Sequence, residues 1–176
     1  MRLITAASSR RGVEYKVYRP SKHVDPDTAP MDTTQIRNFH IDDESLVIAL
    51  WQTCGLVVPQ NDPVKDIRRK MSVHPELFLV AAEQQTIVGS IMAGYEGHRG
   101  WINYLAVAPS HRRRGLGRQL MAAAEKRLQA LGCPKINLQV RKSNSEVIAF
   151  YHRIGYSEDA VVSFGKRLIV DNKDWT

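Results

Sequence analysis

From Met31 onward, the spacing of apolar positions along the chain predicts short strands and amphipathic helices in turn. Gln35 to Phe39 reads as a first strand. Asp42 is placed to cap a helix carrying Leu46, Ile48, Ala49, Leu50 and Trp51, which ends near Cys54-Gly55. Asp62 and Pro63 open a second helix, a capping side chain followed by proline at the first helical position, and this helix runs to about Val73. Leu77 to Glu83, Thr86 to Tyr95 and Trp101 to Ala108 are three apolar runs joined by the tight turns Gln84-Gln85 and Gly97-His98-Arg99-Gly100, the pattern of an antiparallel meander. Leu116, Leu120, Ala123, Ala124, Leu128 and Leu131 then recur at helical spacing until Gly132 and Pro134. Lys135 to Val140 is a strand that a helical crossover makes parallel to Trp101–Ala108. Ser143 and Glu146 are spaced as a capping box, and Asn144 is an alternative cap, for a helix running to about Ile154 and ended by Gly155. Ala160 to Ile169 supplies the last strand or two.

Composition narrows the class. The chain has 176 residues, 43% of them hydrophobic, which suits one globular domain with a proper core. No apolar run approaches the ~18 residues of a membrane span, so no membrane partner is expected. Cys54 and Cys133 lie far apart and form no C-x-x-C, so they read as small buried hydrophobes of a reducing, cytoplasmic compartment, with neither disulfide nor zinc. Residues 1–31 stand apart as a basic extension from the single domain at 32–176: six basic side chains up to Lys22 face only Glu14, Asp25 and Asp27. That extension lacks the apolar core of a secretory signal. Val13 to Val17 alternates like a strand that would lie along a sheet edge, and Met31 offers an alternative start. The formal charge of +7 favours anionic partners.

The chemistry concentrates where the third strand of the meander ends. Val107-Ala-Pro-Ser-His-Arg-Arg-Arg-Gly-Leu-Gly-Arg is a strand end, an arginine- and glycine-rich loop and a helix start. The first N–H groups of a helix have no intrahelical partner, and the helix dipole adds partial positive charge there, so such a junction holds phosphate. Gly115 and Gly117 let a diphosphate approach those groups, and Arg112, Arg113, Arg114 and Arg118 surround them with cationic charge. A P-loop would need G-x-x-x-x-G-K-S/T, which is absent. A dinucleotide fingerprint fails as well, because Leu120 stands where the third glycine is required.

What remains, Arg112-x-x-Gly115-x-Gly117 after a strand ending Val107-x-Pro109, resembles the acetyl-CoA pyrophosphate loop of the GNAT acetyltransferases. A second segment agrees: Leu138 to Asn144, followed by Ala149-Phe-Tyr151-His-Arg-Ile-Gly155-Tyr156, is similar to the family's strand, asparagine and tyrosine helix. The element order matches over roughly Asp32 to Arg167. The resemblance is closer to the bacterial YpeA-like N-acetyltransferases, through Asn61-Asp62-Pro63, Arg69-Lys70-Met71, Gly97-His98-Arg99-Gly100, Gly132 to Ile136 and Gly165 to Leu168.

This resemblance implies an α/β (α+β) GNAT fold, a mixed and mostly antiparallel sheet with a splayed parallel strand pair, flanked by helices. It implies acetyl-CoA as co-substrate and transfer of its acetyl group to a primary amine by direct attack. The backbone of Leu105, Ala106 and Val107 would bind pantetheine and polarise the thioester carbonyl. The N–H groups of Arg113, Arg114, Gly115, Leu116, Gly117 and Arg118 would hold the pyrophosphate, with Asn144 a further cofactor contact. Tyr151 would be the general acid, since a phenol with pKa ≈ 10 keeps its proton at neutral pH. Relatives that acetylate protein N-termini carry a glutamate where this chain has Gln139, which points to another base. Glu96 and His98 are the candidates; Trp51 and Asp62 could line the acceptor pocket, but core packing and helix capping account for them better. A dimer is the default that the resemblance implies. Two other classes stay open: a non-catalytic acyl-CoA-binding module of the same fold, and a nucleic-acid binder using the basic extension and His111 to Arg114, although no nucleic-acid motif accompanies those charges.

Overall fold

The computed structural model describes residues 34–171. The expected basic extension at 1–31, with its strand-like Val13–Val17, lies outside the described residues. Five strands form one sheet in chain order: β1 (Gln35–Asn38), β2 (Phe78–Glu83), β3 (Thr86–Tyr95), β4 (Gly100–Val107) and β5 (Ile136–Leu138). The first four are antiparallel neighbours, and β5 runs parallel to β4. Four helices flank them: α1 (Glu44–Thr53), α2 (Pro63–Ser72), α3 (Leu116–Ala130) and α4 (Ser145–Arg153).

Alternating side chains send the sheet's apolar residues into two cores. On one face Val47, Leu50 and Trp51 of α1 and Ile67 of α2 pack against Phe78, Val80, Met92 and Ala106. On the other, Leu116, Leu120, Met121, Ala124 and Leu128 of α3 cover Leu79, Ala81, Ile91, Ala93 and Ile102, with α4 contributing Phe150 and Tyr151. β2 and β3, buried along most of their length, are therefore apolar at nearly every position.

Two sequence expectations need correction, and one pair of alternatives resolves. The cap of α1 is not Asp42: a turn at Ile41–Asp43 precedes the helix, and Asp43 accepts from the His40 N–H at 2.8 Å and from Arg37 at 2.6 and 2.8 Å. Asp42 points outward to His40. For α4, the alternatives resolve to Asn144, whose Oδ1 accepts from the Val147 N–H at 3.3 Å. The strand expected over Ala160–Ile169 does not form. That segment is tethered by side chains, Lys135 to Asp159, Gln139 to Ser163 and Arg167 to the carbonyl of Gln60, and β5 stops after three residues and offers it no long ladder. Among the described residues, no helix is long and apolar enough to cross a membrane.

Candidate active site

β4 pairs with β5 only from Gly100 to Ile102; toward Val107 the two strands part. A bulge accompanies the parting. Ser90 faces Ala106 and Met92 faces Asn103, so Tyr104 and Leu105 together oppose one residue, Ile91. Tyr104 has φ of 50°, a region that bulky residues rarely enter. Three neighbours hold it there. Its ring stacks on Trp51 at 4.0 Å, its carbonyl accepts from Ser90 Oγ at 3.1 Å, and its hydroxyl donates to Asp66 Oδ2 at 2.6 Å. Trp51 in turn donates its indole N–H to Ser90 Oγ at 2.8 Å and is fully buried, so its part is to position Tyr104. Asp62 is a helix cap, accepting from the N–H groups of Val64 and Lys65.

The arginine–glycine loop follows β4. Pro109–His111 makes one tight helical turn, Arg113 and Gly115 adopt positive φ, and α3 begins at Leu116. Among the described residues, the backbone N–H groups of Arg113 through Arg118 make no hydrogen bond of good geometry; Gln119, bonded to the Gly115 carbonyl at 3.1 Å, is the first that does. Such a run of N–H groups at a helix N-terminus, among exposed arginines, has the chemistry that suits an anion. Arg112 is turned back to donate to the Val107 carbonyl at 3.2 Å, which fixes the loop to the strand end. A Cβ placed on Gly117 would lie 3.4 Å from the Phe150 ring and 3.7 Å from Val107. The start of α3, the end of β4 and the helix that carries Tyr151 thus converge at Gly117.

Tyr151 belongs to the α3/α4 face, where its ring packs edge-on against Phe150 and Tyr156. Burial pushes its hydroxyl up to about 12, and among the described residues that hydroxyl has no hydrogen-bond partner. Tyr104 belongs to the opposite face and is also pushed up to about 12, by burial and then by Asp66. Tyr104 and Tyr151 therefore lie on opposite faces of the sheet. Asn144 is engaged as a cap, as described.

Glu96 and His98 occupy a different place. Their turn leads into Gly100, where β4 and β5 are still paired, so the eight residues of β4, roughly 25 Å, separate it from the loop. Glu96 accepts from the N–H groups of His98 at 2.6 Å and Arg99 at 2.9 Å, which holds its carboxyl below the usual range. Gln139 lies just past β5 and donates to Ser163.

The sequence reading missed the polar cluster beyond Tyr104. Asp66 Oδ1 accepts from Arg69 Nη1 at 3.2 Å, and Arg69 forks both oxygens of Asp171, at 2.8 Å through Nη1 and by a shorter contact through Nη2. These residues line a cavity of about 630 Å³ with Asn61, Lys166 and Arg167. Asp62, Asp66 and Arg69 recur along one side of α2 at helical spacing, the one signal available in the sequence. Their partners on β4 and at Asp171 have no signal there.

The profile of the Acetyltransferase (GNAT) family matches residues 33–156. The chain belongs to the GNAT acetyltransferase family. Relatives named acetyltransferase in Yersinia pestis and Sodalis glossinidius are each 50% identical to this GNAT protein, over 139 and 140 residues, covering 79% of the chain and 99% of the relative. Among solved structures, Ard1 from Thermoplasma volcanium is 28% identical with a TM-score of 0.64, over 72% of this chain and 84% of its own. AAC(6')-Iy, solved with the bisubstrate analog CoA-S-monomethyl-acetylneamine, shares the fold at 18% identity and a TM-score of 0.65, over 77% of this chain and 99% of its own. As a member of this family the protein is an acyltransferase with acetyl-CoA as co-substrate. The residues present fit that molecule: the loop N–H groups and arginines suit its phosphates, and the stretch of β4 unpaired with β5 suits its amide-bearing arm.

Proposed function

We propose that this protein is an N-acetyltransferase in which Tyr151 is the general acid and the Asp66–Tyr104 pair receives the amine. Acetyl-CoA supplies an acetyl group as a thioester, which a primary amine takes by direct attack, forming the C–N bond and releasing the CoA thiolate. The observation that carries the reading is the pair of tyrosines on opposite faces of the sheet, Tyr104 at the opened stretch of β4 and Tyr151 on the helix that meets the start of α3 at Gly117. One face can then protonate a leaving group while the other admits the nucleophile.

On the α4 side, Tyr151 holds a proton at neutral pH and has no competing acceptor among the described residues, so it is free to give that proton to a thiolate. On the other side, an alkyl ammonium is deprotonated in only about one molecule in 2,500 at pH 7, so a proton must be removed. The Tyr104 oxygen can accept from the amine while its own proton moves toward Asp66, 2.6 Å away. Asp66 also attracts a cationic amine. Glu96 and His98 are less suited, because Glu96 is occupied by two backbone N–H groups at the paired end of the strands. The loop N–H groups of Arg113 through Arg118 bind the pyrophosphate, and the backbone of Leu105 to Val107 binds pantetheine.

The test is thiol release from acetyl-CoA across a panel of primary amines, with Tyr151→Phe and Asp66→Asn alongside the natural chain. Tyr151→Phe should lower kcat by about 10²–10³-fold with little change in the KM for acetyl-CoA. A Tyr151→Phe protein with the natural kcat would remove the acid assignment.

A further inference from the structure

We infer that the amine acceptor also carries an anionic group, a carboxylate or a phosphate, and that Arg69 holds it in the fork Asp171 now fills. The inference rests on the acetyltransferase reading above and names the substrate class of that same site.

The cavity beside Tyr104 is lined by three cationic side chains, Arg69, Lys166 and Arg167, against the carboxylates of Asp66 and Asp171. These two carboxylates differ in attachment. Asp66 belongs to α2 and is bound to Tyr104, so it is part of the wall. Asp171 belongs to the stretch 157–171, which has no helix or strand. It is held by the two guanidinium contacts of Arg69 and by Lys65 Nζ, which donates to its carbonyl at 2.6 Å. Displacing Asp171 costs no sheet ladder, and without it the lining is left with three cations against one anion. A planar, bidentate guanidinium is matched to a carboxylate or phosphate group, and Asp171 shows that the fork accepts a carboxylate in this geometry. The same arginine touches Asp66, so an anion on Arg69 stands one residue away from the carboxylate that receives the ammonium. A ligand with an ammonium at one end and an anion at the other matches both ends of this network.

The experiment compares matched amines at saturating acetyl-CoA: lysine with cadaverine, β-alanine with n-propylamine, and O-phosphoethanolamine with ethylamine. In at least one pair the anionic member should have a KM about tenfold or more lower, and whether the carboxylate or the phosphate pair shows it identifies the anion. Arg69→Gln should abolish that difference. Asp171→Asn should lower the KM of the anionic member by a few-fold, because it removes the competing charge from the fork; the opposite signs separate a competing carboxylate from one that merely braces Arg69. A second arm needs no turnover. With CoA present, inorganic phosphate should raise the Tm of Asp171→Asn more than that of the natural chain, and least for Arg69→Gln. Equal KM values within every pair, or a raised KM in Asp171→Asn, would overturn the inference. Absence of any acetylation, with the phosphate response intact, would instead count against the transferase reading.

Discussion

Tyr104 is held in an unfavourable backbone conformation by an aromatic stack and two hydrogen bonds, and each partner is itself satisfied. Ser90 is the hinge of that arrangement, because its hydroxyl accepts from buried Trp51 and donates to Tyr104. Ser90→Ala should lower stability by about 1–3 kcal/mol in a denaturant titration, since it strands the Trp51 N–H in a dry core. It should also raise the acceptor KM as Tyr104 loosens. A titratable pair can be tested by pH. Arg37 hydrogen-bonds Asp43 and, with the His40 N–H, holds its carboxyl below its ordinary value of 3.8. A lowered folded-state value means that the stabilisation is present above the unfolded value and is lost as pH falls through the folded one. Asp43→Asn should therefore be less stable than the natural chain at pH 7, and the gap should close progressively below about pH 4. For Tyr151 the sign differs. Its value of about 12 keeps the proton in place through the working range, so the Tyr151→Phe rate loss should be the same at about pH 6 and pH 9.

Among the elements, Gly100 sets how close β4, β5 and α3 come. A Cβ there would meet Cys133 Sγ at 2.8 Å, Leu128 at 3.2 Å and Ile136 at 3.3 Å. Gly100→Ala should cost about 1–3 kcal/mol by overpacking, read from the shift in the thermal or denaturant midpoint. The elements with strong periodicity were legible beforehand: α3 ends where Gly132 and Pro134 stop it, and α2 starts on Asp62-Pro63. What was not legible had a physical reason in each case. The cap of α1 moved one residue because Asp43, not Asp42, can reach both Arg37 and the His40 N–H. Ala160–Ile169 carries the β-branched and aromatic residues of a strand, but its neighbour β5 is only three residues long. Propensity has no ladder to join there, and Val161, Val162, Phe164 and Leu168 remain exposed.

Taken as one molecule, the protein separates by β4 the two regions proposed to bind anions. The loop at Arg112–Arg118 could be found in the sequence because its glycines, arginines and helix start are contiguous. The cluster of Tyr104, Asp66, Arg69 and Asp171 could not, because its members are brought together only by folding, across as many as 105 positions. The charge of +7 is compatible with both regions, since acetyl-CoA and an anionic acceptor would each meet cationic side chains. The central claim is that the loop and the opened strand hold acetyl-CoA. The most direct measurement is a calorimetric titration of the full chain with acetyl-CoA, repeated on Gly117→Ala and Gly117→Trp. An alanine Cβ makes only ordinary contacts with Phe150 and Val107, so Gly117→Ala reports on the loop in a chain that still folds. The account predicts micromolar binding to the natural chain, weaker binding to Gly117→Ala and none to Gly117→Trp. Absence of binding to the natural chain, or binding undiminished in both variants, would contradict it.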